Sequence, residues 1–584
     1  MTTSTMTLPR REAPEPARRE RRPASRLLSE PVVLFAVSAV LYLMVAVWLV
    51  QHNVLFADAM SRVGNAYYVL YSRDPHLPAI GFVWNPLPSL LLVPFLPLKV
   101  FAPWLVSYGV LGAIESALMM AGTVALIAGC LRKLNVPRVT RLILTGLFAL
   151  QPMIMLYAGS GLSEAMMLFF LALTTSCLIS WVQTSAPGCL VGTGLALGLC
   201  YMTRYEAVAP AMGVAALVGI ARWVRTRDDR SRRLSTAVNN VALVVAPFAF
   251  AFVLWSLMAK VLVNEWLPTF SSVYGNSAQV TSGSKSIQAV TGSTWVQTLE
   301  YIGRQTFGLA PVFGLLLIAT LVLAVRARSL SALVAPVVFG AVSAFSALVL
   351  LMGSSFGWLR FQITVIPLSV LLAGTVIALS GELARKRADR VSALEVAAPS
   401  EPSPRHLRTR TFHPVEVGVA ILVVAALAIS VPAQFQMLTD TRAGLAREES
   451  PMLRSVFYPD LASHEEQRSL LIFKTERQVA DYIDSLDPGD SSVLTDTAYA
   501  YSIVMASQRP TQFVITSDLD FQGAVADPAG HGVKYLLVPA PELGPADAVG
   551  HHWPGLFQNG AGIATQVQEF QGAFYGDWKL FRVN

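Results

Sequence analysis

The sequence predicts an all-α polytopic membrane bundle of about eleven transmembrane helices, with a small α/β domain at its C-terminal end. Three observations lead there. Of the 584 residues, 54% are hydrophobic and only 14% charged, with a mean hydropathy of +0.52, whereas a soluble domain carries roughly 25% charged residues. Apolar runs close to the ~20 residues that cross a bilayer recur as far as residue 431. Beyond Pro432 the hydropathy falls, and short apolar runs alternate with an amphipathic stretch, the pattern of strands and helices. A chain of this composition needs lipid as solvent. Its net charge of +7 resides in loops between apolar runs, so topology accounts for it and no nucleic-acid partner is expected.

The first thirty residues hold Arg10, Arg11, Arg18, Arg19, Arg21, Arg22 and Arg26 among Pro, Ala and Glu, and residues 1–30 are expected to be a disordered, basic cytoplasmic tail. The run from Pro31 to Val50 lacks an Ala-x-Ala cleavage site and reads as a retained helix rather than a removed signal peptide. Further spans are expected near 104–131, 141–158, 164–182, 188–203, 207–223, 237–262, 307–325, 331–352, 361–380 and 414–431. An odd number puts the termini on opposite sides. Lys and Arg of short loops favour the cytoplasm, and every second loop is basic: Arg132, Lys133 and Arg138; six arginines from Arg222 to Arg233; Arg326 and Arg328; seven basic residues from Arg385 to Arg410. The chain thus reads as a multi-pass protein of the cell membrane with a cytoplasmic N-terminus. Its transmembrane domain covers 31–431, with an outer loop at 51–103, and an extracytoplasmic α/β domain covers 432–584. Pro88 to Pro103, broken by Pro94 and Pro97, is too short to span and is placed along the outer interface.

Within the last domain, Glu476 to Leu486 reads as a helix. Ser492 to Leu494, Gln512 to Ile515 and Tyr535 to Val538 read as short strands, and Phe574 to Val583 as an edge hairpin. Cys130, Cys177, Cys189 and Cys200 lie in or beside apolar segments without metal-ligand spacing and read as small buried residues.

The outer loops are otherwise poor in charge, so their ionisable residues carry the functional reading. Asp58 and Arg62 stand at i, i+4 just beyond the first helix, a spacing that equally suits a surface pair worth on the order of a few tenths of a kcal/mol. Glu164 opens a helix, where a carboxylate favours the dipole whether or not it binds anything. Arg204 follows a helix break and can pair with Glu206, and Arg360 stands beside Trp358 as an interfacial anchor would. His76 has no second histidine at ligand spacing, so no metal site is assigned. Glu115 is an intramembrane carboxylate that Ser107, Tyr108 or a neighbouring arginine could satisfy. The Asp-x-Asp of Asp518 and Asp520 is explained as well by a turn or cap as by a metal.

The run Asp58-Ala-Met-Ser-Arg62-Val-Gly-Asn65-Ala-Tyr67-Tyr68, followed by Trp84-Asn85-Pro86-Leu87-Pro88, resembles the first outer loop of GT-C glycosyltransferases, in particular the branch of protein O-mannosyltransferases and aminoarabinose transferases. Gly161-Leu162-Ser163-Glu164, Thr203-Arg204-Tyr205-Glu206 and Leu359-Arg360-Phe361 continue the resemblance in the same order, over most of residues 31–431. It implies a polyprenyl-phosphate-linked sugar as donor, a hexose such as mannose or a pentose, and an extracytoplasmic glycan, lipid or protein hydroxyl as acceptor. Membrane lipids are the remaining partners. Asp58 is then the general base of an inverting displacement, for which one carboxylate suffices. Arg204 and Arg360 are the candidates for the donor phosphate, since the guanidinium fork matches phosphate oxygens. Arg62, Asn65, Arg73, His76, Asn85, Glu164 and Glu206 fall on the substrate or acceptor side.

This sequence departs from the family pattern in two places. Ala57 and Ala59 flank Asp58 where family members often carry a second acid, so a divalent cation is possible but not favoured. Asn85 stands where aminoarabinose transferases carry lysine, which leaves the sugar open. Two other classes compete. A secondary transporter or lipid flippase would show paired repeats and charges at the midplane, and no such repeat is found; an inactive envelope scaffold differs from the enzyme only in whether Asp58 works.

Overall fold

The computed structural model describes residues 29–395 and 414–584. Of the tail expected over 1–30 only Ser29 and Glu30 are included, and Arg405, Arg408 and Arg410 of the last basic loop also lie outside the described residues. Among the described residues, eight helices are long and apolar enough to cross a membrane: Glu30–Gln51, Val110–Lys133, Glu164–Thr184, Tyr205–Arg225, Arg230–Val263, Leu330–Leu351, Leu359–Val391 and Pro414–Thr439. In lipid, backbone polar groups must be paired within the chain, which leaves helices as the form these runs can take.

Two bent pairs raise the number to ten if each is one span: Arg138–Ala149 with Pro152–Gly159, turned by 60°, and Trp295–Leu309 with Phe313–Ala327, turned by 84°. Single spans were expected near 141–158 and 307–325. Pro152 and Pro311 stand at the two breaks, where a ring without an N–H interrupts the helical ladder. The eleventh expected segment is the 15-residue helix Pro187–Tyr201, apolar but short. The span expected from residue 104 instead begins at Val110, after a separate turn at Trp104–Ser107 and a left-handed Gly109.

Burial sorts the helices. Leu359–Val391 has 89% of its most apolar stretch inside the protein, against 28% for Glu30–Gln51 and 17% for Arg230–Val263. The first of these is therefore the central helix. The outer ones turn apolar side chains away from the core: Val37, Val40, Met44 and Val47, spaced three and four apart, are exposed along one face suited to lipid. The loop regions also hold structure. Residues 51–103 contain the helix Ala57–Tyr71, and the apolar turns Leu87–Leu92 and Val93–Val100 leave Phe95, Leu98 and Val100 exposed, as an interface-lying segment would. Residues 264–306, expected as loop, form Pro268–Ser271, Asn276–Ser282, Ser284–Thr291 and Trp295–Leu309.

The last spanning helix runs on to Thr439, past its expected end at 431, because Met437 and Leu438 belong to the bundle core, as do Leu445, Met452 and Leu453 beyond it. A five-stranded sheet follows: β1 (Val493–Leu494), β2 (Phe513–Val514), β3 (Tyr535–Pro539), β4 (Ala564–Phe570) and β5 (Trp578–Val583), in the order β2-β1-β3-β5-β4. β1 is parallel to β2 and β3, while β5 is antiparallel to β3 and β4. The closing strand is thus interior to the sheet rather than its edge. The edge strand β4 was not anticipated, because its Thr, Gln and Glu side chains are mostly exposed and leave no apolar alternation to read.

Alternation places the sheet. Val493, Phe513, Leu537 and Leu580 enter one apolar cluster, and their neighbours Leu494, Val514, Leu536 and Phe581 enter another on the opposite face. The first cluster also contains Met60, Val63 and Tyr67 of Ala57–Tyr71 together with Val479 and Ile503. The helix bearing Asp58 is therefore clamped between the bundle and the sheet domain.

Candidate active site

Asp58 lies in the first turn of Ala57–Tyr71, whose apolar side is fixed in the shared core, so Asp58 and Arg62 both reach one cavity wall. Two hydrogen bonds attach the next stretch of the loop to the end of Pro187–Tyr201: Leu87 N–H donates to Met202 O at 2.9 Å, and Asn85 Nδ2 donates to Tyr201 O at 2.5 Å. Trp84 and Arg204 thereby line the same cavity. Gly161 brings Glu164 in. It sits at φ +78°, and a Cβ there would meet Ala113 N and Gly112 C at 3.2 Å, so only glycine permits the turn before Glu164 to approach Val110–Lys133 this closely. Arg360 is the second residue of the short 3-10 turn Leu359–Gln362 that leads into the central helix.

The cations of the cavity are Arg62, Arg204 and Arg360, and Asp58 and Glu206 are its acids. Arg360 Nη2 donates to Asp58 Oδ2 at 2.6 Å, and its Nε lies 3.4 Å from Glu448 Oε2 and 3.7 Å from Glu164 Oε1. Arg204 donates to Glu164 Oε1 at 2.6 Å, to Glu206 Oε1 at 2.6 and 3.1 Å, and to Ser163 Oγ at 3.3 Å. Burial works against the charge of Arg204, but Glu164 and Glu206 together hold its pKa above the ordinary range. Arg62 forms no ion pair among the described residues. Instead of meeting Asp58 one turn away, its guanidinium stacks 4.4 Å over Trp84. Burial, with repulsion from Arg204, pushes Arg62 down to about 10, so it stays charged at neutral pH. Trp358 covers Arg360 at 4.1 Å, and Phe361 lies 5.6 Å from Arg204.

Glu448 and Glu449 were not anticipated. They follow the last spanning helix, in a stretch read as part of the outer domain, yet Leu445, Ala446, Met452 and Leu453 on either side are in the bundle core. The surrounding sequence, with Asp440, Arg442, Arg447 and Arg454, is as polar as an exposed loop and carried no signal of burial. Burial pushes Glu448 up to about 8 against the pull of Arg360. Burial likewise raises Glu449, which accepts a hydrogen bond from the Tyr157 hydroxyl at 2.5 Å. Glu448 also lines a second cavity, of about 400 Å³, with Phe56, Ala57, Arg447 and Tyr575. The Arg360–Glu448 contact therefore stands between two cavities.

Asn65, Arg73 and His76 do not line the Asp58 cavity. Arg73 instead binds both acids of the Asp-x-Asp, with Nε 3.1 Å from Asp518 Oδ2 and a paired contact to Asp520, while Asp74 accepts from Leu519 N–H at 3.2 Å. His76 Nδ1 is 2.6 Å from Asp74 O, and Asn65 is half-buried near Gly81. The Asp-x-Asp is thus part of a latch between the first loop and the sheet domain. Glu115 Oε1 is buried without a hydrogen-bond partner among the described residues, and Ser107 bonds to Pro103 O rather than to it. Among the described residues no three of His, Cys, Asp and Glu stand close enough to hold a metal ion.

The architecture is one already seen in a solved membrane-enzyme structure. The chain is similar to the crystal structure of ArnT from Cupriavidus metallidurans bound to undecaprenyl phosphate, with a TM-score of 0.51 and 15% identity over 94% of this chain and 97% of that one. It matches the Pmt1-Pmt2 protein O-mannosyltransferase complex of S. cerevisiae, bound to the sugar donor, over 40% of this chain and 34% of that one, at 19% identity and TM-score 0.30. For the oligosaccharyltransferase of Archaeoglobus fulgidus in the apo form the match covers 87% and 69%, at 10% identity and TM-score 0.42. No family model matches the sequence, and no curated protein matches it.

Proposed function

We propose that this chain is a membrane glycosyltransferase that moves a hexose, such as mannose, or a pentose from a polyprenyl-phosphate donor to an acceptor hydroxyl on the outer face of the cell membrane. The observation that carries this reading is the position of Asp58. It lines a cavity at the start of the central helix, with one carboxylate oxygen held by Arg360 at 2.6 Å and Oδ1 free of hydrogen bonds among the described residues. Oδ1 is thus available to take a proton. As the acceptor O–H gives that proton to Asp58, its oxygen bonds to the anomeric carbon and the bond from that carbon to the phosphate oxygen breaks, with inversion. The leaving polyprenyl phosphate carries the charge away and needs cations, which the cavity supplies. Trp84, Trp358 and Phe361 offer apolar faces for a sugar or isoprene unit, and Asn85, Asn276 and Gln279 offer hydrogen bonds for sugar hydroxyls. The likeness to ArnT, whose structure holds undecaprenyl phosphate, supports a donor of that class. In this reading the chain beyond Thr439 lies outside the cell, and the second cavity, reached from that side, is the approach for the acceptor.

The test is transfer of radiolabelled sugar from polyprenyl-phosphate donors to membrane acceptors by the intact protein and by Asp58→Asn. Activity is expected to fall by about 10²- to 10⁴-fold with the folded yield unchanged. Wild-type turnover in Asp58→Asn would place the base elsewhere, and a lack of transfer by the intact protein from every donor would overturn the enzyme reading.

A further inference from the structure

We propose that Arg62 is the residue that receives the donor's phosphate, and that Arg204 and Arg360 act instead to hold the site's carboxylates in place. This rests on the glycosyltransferase reading above and reassigns all three arginines within it. The Arg62 guanidinium is the one of the three lining cations with no ion-paired carboxylate among the described residues. The residue is only 9% exposed, and its Nε and Nη1 are buried without a hydrogen-bond partner. A buried guanidinium with unmet donors is costly unless an acceptor joins it. Asp58, Glu164 and Glu115 act on it through space, but none of them lies at ion-pair distance. Its plane is held by stacking on Trp84, so the fork is oriented before a ligand arrives.

Arg204 and Arg360 are differently placed. Arg204 spends Nε, Nη1 and Nη2 on Glu164 and Glu206, and Arg360 is shared between Asp58 and Glu448. For Arg204 to take the phosphate, charge-assisted hydrogen bonds to the buried Glu164 and Glu206 would have to break; Arg360 Nε is buried without a hydrogen bond, as in Arg62, but it faces Glu448 at 3.4 Å and Glu164 at 3.7 Å, so a phosphate arriving there would meet two acids. Arg62 needs no such exchange. Its place one helical turn from Asp58 sets the phosphate beside the base, where the bond from sugar to phosphate must break as the proton moves.

The experiment measures binding of undecaprenyl phosphate, undecaprenol and inorganic phosphate to the purified full chain, read as thermal stabilisation across a ligand titration. Undecaprenyl phosphate is expected to stabilise the wild type more than undecaprenol does. Arg62→Gln is expected to weaken the phosphate lipid by about 10- to 100-fold and leave undecaprenol unchanged. Arg62→Lys keeps the charge without the planar fork and is expected to show a smaller loss, so it serves if the glutamine variant does not fold. Wild-type affinity for undecaprenyl phosphate in either variant overturns the assignment of Arg62. A wild type that does not distinguish the phosphate lipid from undecaprenol overturns the donor reading as well. Binding of inorganic phosphate that competes with the lipid shows that the headgroup alone is recognised; lipid binding without it shows that the chain contributes the remaining affinity, and Arg62→Gln must lower the lipid's affinity in both cases.

Discussion

Asp58 and Arg360 are separated by 302 positions in the chain and meet at 2.6 Å, joining the start of the helix Ala57–Tyr71 to the start of the central helix. Arg360 is 2% exposed and also faces Glu448 and Glu164. One buried cation thus ties together three segments that local sequence keeps apart.

Removing that cation should be expensive. Arg360→Met leaves Asp58 and Glu448 without their shared partner, and breaking a buried pair in this way costs about 3–5 kcal/mol. Adding Asp58→Asn should restore part of the loss, because the carboxylate left without its cation is gone. A double-mutant cycle of unfolding in mixed micelles measures the coupling, and additive losses would show that the two groups do not interact.

Stability should depend on pH through Glu448. Its carboxyl is raised from the ordinary range to about 8, so between roughly pH 4.5 and pH 8 the folded protein binds a proton that the unfolded chain releases. Its stabilising contribution is full below the unfolded pKa and is lost as pH rises through about 8. Thermal unfolding of the wild type from about pH 5 to about pH 9 should therefore show falling stability that Glu448→Gln flattens. An equal slope in both proteins would assign the effect to another group.

The Arg73 latch should matter for folding and not for chemistry. Asp518 has a fully buried side chain, and burial pushes it up to about 6. Arg73→Ala removes its nearby charge partner and should cost about 1–3 kcal/mol in thermal unfolding, with sugar transfer by the folded protein within about 2-fold of wild type. A collapse of transfer at full stability would move Arg73 into the substrate site.

Orientation is open to a direct measurement. A reporter fused after Asn584 should be extracytoplasmic, and one inserted beside Arg227, in the arginine-rich loop, should be cytoplasmic. The reverse pattern would invert the bundle and put the Asp58 cavity on the cytoplasmic side.

Much of the bundle was legible because hydropathy is a property of short stretches. Every expected span overlaps an apolar helix, and the strands at Val493, Phe513 and Tyr535 stand where apolar runs marked them. What failed was also local in cause. The bends at Pro152 and Pro311 need a direction that composition does not carry, and β4 has too few apolar side chains to announce itself. In the site, Asp58, Arg204 and Arg360 stood out as charges in an outer region poor in them, and they do line one cavity. Glu448 was missed because its role depends on a segment folding back into the bundle after the last helix.

The sequence by itself determined that this chain lives in lipid, where its helices run and which few charges stand near their ends, because transfer to an apolar solvent is decided residue by residue. Only the tertiary structure decided which charge meets which. Spacing offered Arg62 to Asp58, and the fold gave Asp58 to Arg360 and Arg62 to Trp84. Ion pairing follows distances between elements far apart in sequence, and a buried pair is set by the partners that packing delivers within a few ångströms.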